Sequence, residues 1–212
     1  MAVTTPQVVE DEGSRARLVS AAAELVHAES YHSVGVKAIC DRARVRRGSF
    51  YHFFESKQSL VLEAVEKIWE GFSAEVLEVC WDRSIEPRDR MERMVEQVVR
   101  RHTRDRERTG SVLGCSFGNL TAESTALDAA IRNRLVDVFD AWAAAVAVPI
   151  SEAQAAGQID REAPAHGMAL EVVSELQGLI LMAKARNEPA VIETGGRNIV
   201  ARLWDTGTKE PK

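Results

Sequence analysis

A chain of 212 residues with 27 Lys and Arg against 32 Asp and Glu is long enough to bury a core, and its formal net charge of -5 excludes a protein basic along its whole length. No run approaches the roughly 18 apolar residues of a membrane span, and the first 13 residues lack the basic and apolar regions of a secretory leader. Three cysteines at wide spacings, Cys40, Cys80 and Cys115, fit a reducing compartment better than a disulfide framework, so a cytoplasmic protein with no membrane partner is expected.

The charge is unevenly spread. Between Ser14 and Lys57 stand 8 Lys and Arg against 4 Asp and Glu, whereas residues 1–13 carry 3 acids and no base, and residues 58–212 carry 19 bases against 25 acids. A small basic part joined to an acidic remainder points to nucleic acid or an acidic surface as the partner of the first part. Clustering on a solvated face is the alternative.

Apolar residues recur three and four apart almost throughout and nowhere alternate convincingly, which predicts an all-α protein. Residues 1–13 read as a disordered acidic tail. A first helix from near Ser14 to near Ser30 carries Leu18, Ala21, Ala22, Leu25 and Val26 on one stripe. The segment VKAICDRA predicts a short helix with Val36 and Ile39 inward, followed by an RVRR turn and another short helix from about Arg46 to Phe54. Ser56 is placed to cap a long helix through Leu60, Val61, Ala64, Val65 and Ile68 toward Cys80.

Pro87 opens a helix to about Arg104, and the glycine-punctuated stretch GSVLGCSFGN follows, in which Gly114 and Gly118 allow an unusual backbone path. Thr125 starts a long helix carrying Ile131, Leu135, Val138, Phe139 and Trp142, which Pro149 should kink or interrupt. Pro164 opens a helix through Leu170, Val173, Leu176, Ile180 and Leu181, and a last helix follows Pro189 as far as Trp204, ahead of a disordered tail over 206–212.

The densest chemistry is RVRRGSFYHFF, residues 44–54. In a helix starting near Arg46, Phe50 and Phe54 stand four apart and pack inward against Leu18, Leu25 and Ile39, while Arg47, Ser49, Tyr51 and His52 point elsewhere. An ordinary core helix with a polar outer face would have the same pattern. Arginines at a helix N-terminus, however, oppose the macrodipole, where an acid would be preferred by roughly 0.3–1 kcal/mol. An anionic partner would compensate, and DNA qualifies, since arginine binds phosphate and grips guanine O6 and N7 with two hydrogen bonds. Gly48 lets such a helix approach a groove closely. Two short helices joined by a tight turn and braced by a first helix are the helix-turn-helix plan.

The run from Leu18 to Leu60, with LVSAAAELV, Tyr31 and VKAICDRARVRRGSFYHFFESKQSL, resembles the DNA-binding domain of the tetracycline-repressor (TetR/AcrR) family of bacterial transcriptional regulators. Ala43, Val45, Gly48, Ser49, Tyr51, His52, Phe54, Ser56, Lys57 and Leu60 all fall in its register. The resemblance implies a helix-turn-helix domain over 14–60 and a helical ligand-binding and dimerisation domain over 61–205, joined by a long helix. It implies DNA contacts from Arg47, Ser49, Tyr51 and His52, with Lys57 holding a phosphate. Lys37, Arg44, Arg46 and Gly48 complete the expected DNA face. Two departures stand out. Val34-Gly35 replaces the usual Thr-Ser, which puts a hydroxyl contact to phosphate in doubt and leaves Ser33 as a substitute cap, and Arg44 replaces the turn glycine, which asks a non-glycine residue for a left-handed conformation. The role of Phe53 is open.

The same resemblance implies a homodimer on a palindromic operator and a small-molecule effector. Trp69, Phe72, Trp81, Phe117, Phe139 and Trp142 are candidate pocket wall, with Asn119, Gln177 and His102 as polar handles; core packing is the alternative for each. GCSFGN resembles a segment found in a subset of these repressors, some of which sense electrophiles. Cys115 is thus a candidate reactive thiol with Lys184 as its activating neighbour, or else an inert buried cysteine. The expected dimer surface is Val173, Gly178, Ile180 and Leu181 of one helix with Ile199 and Leu203 of the last; intramolecular core is the alternative. No catalytic residue, metal site or cofactor is expected, because no phosphate-binding loop, HExxH, CxxC or nucleophile elbow occurs. A helical enzyme and an interaction module without DNA binding are the competing classes. The expected function is a ligand-responsive regulator, a repressor released by an apolar or electrophilic effector.

Overall fold

A computed structural model of the protein describes residues 6–123 and 128–205, with side chains from residue 13 onward. The described residues form helices α1 (Pro6–Ala28), α2 (Val36–Ala43), α3 (Arg47–Phe53), α4 (Lys57–Phe72), α5 (Pro87–Thr109), α6 (Ser116–Ala122), α7 (Ala129–Ala155), α8 (Ala165–Arg186) and α9 (Ala190–Asp205), with no strand among them. The all-α expectation holds. α1 begins at Pro6, ahead of the start predicted from its apolar stripe: proline is tolerated in a first helical turn, and nothing from Gln7 to Glu12 breaks a helix. The helix start expected at Thr125 and the tail over 206–212 lie outside the described residues.

Ser56 caps α4 as its sequence position predicts. Its Oγ accepts from Ser59 N at 3.1 Å, and Ser59 Oγ returns the bond by accepting from Ser56 N at 3.2 Å. Beyond Phe72 the chain keeps winding but changes pitch, through a π turn at Ser73–Leu77 and a 3-10 turn at Glu78–Trp81. The wide turn carries Glu75, which accepts from Arg101 Nη1 at 2.7 Å and Arg104 Nη2 at 2.5 Å of α5. Burial alone would raise the Glu75 carboxyl, but these two guanidinium groups outweigh it and hold it below its ordinary 4.5.

The interruption considered at Pro149 and the loop expected through Gly118 need correction. α7 runs through Pro149 without interruption, because buried Trp142, Ala143 and Val146 precede the proline and Ile150 and Ala153 follow it. Burying several such side chains at about 1.5–3 kcal/mol each offsets the roughly 3 kcal/mol cost of an internal proline. In GCSFGN only Gly114 takes a left-handed φ, of 87°; Gly118 lies within α6, so the segment from Ser116 onward is helix and not loop.

The described chain divides into two compact units, one reaching Glu70 and including Ser116–Leu135, the other taking Gly71–Cys115 and the chain from Val136. In the first, Leu18, Ala22, Val34, Ile39, Phe50, Phe54 and Leu60 form the core that holds α1, α2 and α3 together. α6 belongs to this unit because it packs on α1.

In the second unit α9 packs against both α5 and α8. Gly196 of α9 is buried where α5 approaches, so that a methyl group there would stand 2.5 Å from Val95 Cγ1. Valine is stiff at χ1 and cannot swing aside. Gly196→Ala should therefore destabilise the protein by about 1–3 kcal/mol, read as a lowered thermal midpoint. Gly195→Ala, which meets chiefly the Cδ atoms of Leu179, a side chain with more rotatable bonds than valine, should cost less; equal midpoints for the two variants would contradict the packing described.

Candidate nucleic-acid interface

Three residues, Arg44, Val45 and Arg46, separate α2 from α3. Arg44 N donates to Asp41 O at 3.2 Å and Val45 N to Cys40 O at 3.0 Å, which closes α2 with Arg44 at φ 54° and ψ 44°. The left-handed arginine expected from the sequence is present, at a cost of about 1 kcal/mol for a residue with a Cβ. Val45 packs half-buried on the core beside it and pins the turn.

α3 has only seven residues, too few to persist alone. Its inner face is anchored by Phe50, fully buried, and Phe54, with ring centroids 5.9 Å apart and the Arg15 guanidinium 5.1 Å over the Phe54 ring. Phe53 also packs against this core and meets the His52 ring edge-on at 5.1 Å, which gives it an anchoring role. With that face committed, Arg46, Arg47, Gly48, Tyr51 and His52 lie exposed and Ser49 half-buried, and the Tyr51 ring is 60% exposed.

The outer face is basic and unneutralised. Arg42 is bonded to Glu24 at 2.5 Å, Lys37 to Asp41 at 2.8 Å and Arg15 to Glu63, whereas among the described residues no carboxylate pairs with Arg44, Arg46 or Arg47. The first turn of α3 contains no acid, and its N-cap, Arg46, makes no side-chain cap. Three cations and an exposed aromatic ring on one short helix and its lead-in turn form a surface that can bind phosphate and read base edges.

Several expected residues have other roles. Lys57 is half-buried; its Nζ donates to Tyr31 O at 2.7 Å and Val34 O at 3.2 Å and sits 4.1 Å over the Tyr31 ring. Burial pushes its ammonium below the ordinary 10.5, with the Glu123 carboxylate pulling the other way. The ammonium expected to hold a phosphate is thus committed to the α1–α2 turn. Ser33 is no substitute cap for α2, because its Oγ donates to Ser30 O at 3.2 Å and the N-cap is Gly35, without a side-chain bond. Val34 is a core residue, 1% exposed.

The candidate ligand residues fall in both compact units. Trp69, Phe117 and Asn119 belong to the first, with the Trp69 and Phe117 rings 6.2 Å apart. Phe72, Trp81, Cys115, Phe139, Trp142, Gln177 and Lys184 belong to the second. There Phe72 and Trp142 meet edge to face at 4.6 Å, Phe139 stacks on Trp142 at 6.4 Å, and Gln177 Nε2 approaches Cys115 Sγ at 3.5 Å. Trp142 is fully buried, and among the described residues its Nε1–H has no hydrogen-bond partner. Trp81 is no buried wall: it is 48% exposed and borders an open groove of about 760 Å³ beside Arg93 and Arg100. Lys184 is exposed at the end of α8. Among the described residues no group of His, Cys, Asp and Glu could hold a metal ion, and no helix is long and apolar enough to cross a membrane.

The expected dimer residues also divide. Val173, Ile180 and Ile199 are buried within the chain's own core, at 2–3% exposure, so these three cannot meet a partner. Leu203 is half-buried, while Gly178 and Leu181 are exposed, on a face of α8 with Leu170, Ser174 and Met182.

An exposed basic helix behind a three-residue turn, anchored by aromatic residues, defines a helix-turn-helix DNA-binding regulator. The profile described as bacterial regulatory proteins of the tetR family matches residues 18–64, and that of the tetracyclin repressor-like C-terminal domain matches residues 87–199, more than half of the chain. The chain belongs to the TetR family of transcriptional regulators, which are not enzymes. It is 33% identical over 196 residues to the transcriptional regulator AcuR of Cereibacter sphaeroides, covering 89% of this chain and 86% of that one. It is 26% identical to the HTH-type transcriptional repressor DhaR of Mycobacterium sp., over 80% of this chain and 82% of that one. Among solved structures, regulatory protein TetR from Rhodobacter sphaeroides superposes with a TM-score of 0.80 at 28% identity, over 90% of this chain and 98% of that one. The reduced form of NemR from E. coli shares the fold, with a TM-score of 0.78 at 19% identity, over 92% and 99%.

Lys57→Ala should remove two bonds from a charged donor and lower stability by about 1 kcal/mol after allowance for its partial exposure. The measurement is the thermal midpoint without DNA. An unchanged midpoint with uniformly weaker binding to every duplex would return Lys57 to the phosphate role.

Proposed function

We propose that the chain binds a palindromic DNA operator as a homodimer, with Arg46, Arg47, Ser49, Tyr51 and His52 in the major groove and Arg44 and Lys37 beside the backbone. The observation that carries this reading is the set of three arginines in the α2–α3 turn and at the start of α3 with no carboxylate partner among the described residues, above a helix whose other face is fixed by Phe50 and Phe54. Unpaired cations held in place on a rigid element lose little freedom when they meet phosphate or guanine.

For the dimer, the exposed stripe of α8 supports self-association. Leu170, Leu181 and Met182 are each 46–64% exposed, and small Gly178 between them permits close approach. In such a dimer two recognition helices would lie about 34–36 Å apart, one DNA turn. Repression is the favoured direction, since one relative is named a repressor.

Effector binding is assigned to the helices beyond α4. The buried indole N–H of Trp142, flanked by Phe72 and Phe139, favours an apolar or aromatic effector that brings a hydrogen-bond acceptor. A buried donor without an acceptor costs about 1–3 kcal/mol, which such a molecule would recover. An electrophile acting at Cys115 is the second reading, favoured by the half-buried thiol beside Gln177. Either effector must bind the DNA-incompetent state more tightly than the competent one.

Selection of duplexes from a random library by the purified protein, followed by footprinting, tests the DNA assignment. Arg47→Ala should weaken the selected site by about 1–3 kcal/mol and relax base preference. Wild-type affinity should fall steeply with salt, and failure to select any duplex would exclude the reading. Leu181→Glu should convert the dimer to a monomer in sedimentation, because a carboxylate cannot be buried unpaired in an apolar interface; a variant that stays dimeric would place the interface elsewhere.

A further inference from the structure

Glu123 follows the last residue of α6, and its carboxylate faces the turn between α1 and α2. Tyr31 N donates to Oε1 at 3.2 Å and His32 N donates to Oε2 at 3.3 Å. Two consecutive amides on two oxygens of one carboxylate make a charge-assisted clamp. The turn it grips is held otherwise by one side chain of α4 and by its own residues. His32, Ser33 and Gly35 are exposed, Val34 is its buried plug, and Ser30 with Ser33 supplies only local bonds. Lys57 grips the same turn from α4 through Tyr31 O and Val34 O. Glu123 is supplied from some 92 residues further along the chain, by a helix packed on α1.

The turn leads directly into α2, which starts at Val36 without a side-chain cap and buries Ile39, Cys40 and Ala43 in the core shared with Phe50. The conformation of the turn therefore sets how α2 enters the core, and α2 sets where α3 lies. We propose that Glu123 is a positioning residue for operator binding: its carboxylate fixes the α1–α2 turn and, through α2, the placement of the arginines of α3. This rests on the DNA-binding reading above and adds to it a contribution from α6.

The test uses the full chain as wild type, Glu123→Ala and Glu123→Gln, with the duplex selected by the wild-type protein as probe. Three quantities are read: amide hydrogen exchange at Tyr31 and His32, the thermal midpoint, and duplex affinity. In Glu123→Ala the two amides should exchange about tenfold faster or more and affinity should fall about tenfold, while amides of α5, α8 and α9 keep their protection and the midpoint moves by no more than about 2 °C. Glu123→Gln retains one carbonyl acceptor and should fall between the two. If Glu123→Ala does not fold, the glutamine variant decides on the same readings. Affinity within about twofold of wild type despite freed amides would overturn the proposal. So would unchanged amides, or a loss of protection spread over the whole chain with a lowered midpoint, which would make Glu123 a residue of general stability. A wild-type chain that selects no duplex overturns the DNA-binding reading itself, an outcome distinct from a variant that binds as well as the wild type.

Discussion

Phe50 within a seven-residue helix and Phe54 at its C-cap are the constraint on which the rest of the N-terminal unit depends. A helix of that length gains too few backbone hydrogen bonds to offset the entropy of ordering it, so its persistence comes from burying those two rings against Leu18 and Ile39. Once they are buried, the spacing of the helix leaves Arg47, Tyr51 and His52 no choice but the outer face. The cations are presented because the aromatics are not, and the positive end of the α3 dipole adds to them rather than being cancelled by an acid.

The basic segment divides its charges between two kinds of work. Lys57, Arg42 and Arg15 are tied to carbonyls or carboxylates of the same unit. Among the described residues Arg44, Arg46 and Arg47 are not, and Arg44 accepts a left-handed backbone to close the turn between the two short helices. A positive region identified by counting Lys and Arg is therefore larger than the surface that faces a partner, because a cation near a chain reversal finds backbone oxygens within reach.

Much of the core and most helix ends were readable from residue order. The apolar stripe of α1, the Ser56 cap, the openings near Pro87, Pro164 and Pro189, and the left-handed Arg44 all follow from local rules of spacing, capping and backbone sterics. Lys57 was not readable, because a lysine at a helix start looks the same whether its ammonium faces a phosphate or two carbonyls brought in from the preceding turn. Val173, Ile180 and Ile199 were misassigned for a related reason: α8 has apolar residues on more than one face, and a periodicity that fits two faces cannot tell which one the chain's own neighbours cover. Pro149 was expected to kink or interrupt α7, and the helix is not interrupted, with buried side chains on both sides of the proline.

By itself the sequence determined the helical class, the two-helix reading head and its cationic tip, since these depend on residues within a few turns of one another and on preferences that act over that range. Only the tertiary structure decided which cations stay free, which side of α8 is covered, and that α6 brings Glu123 against the α1–α2 turn. Those outcomes depend on contacts between residues up to some 92 positions apart, and a side chain's partner at such a distance is fixed by how the helices pack, not by its own neighbours in the chain.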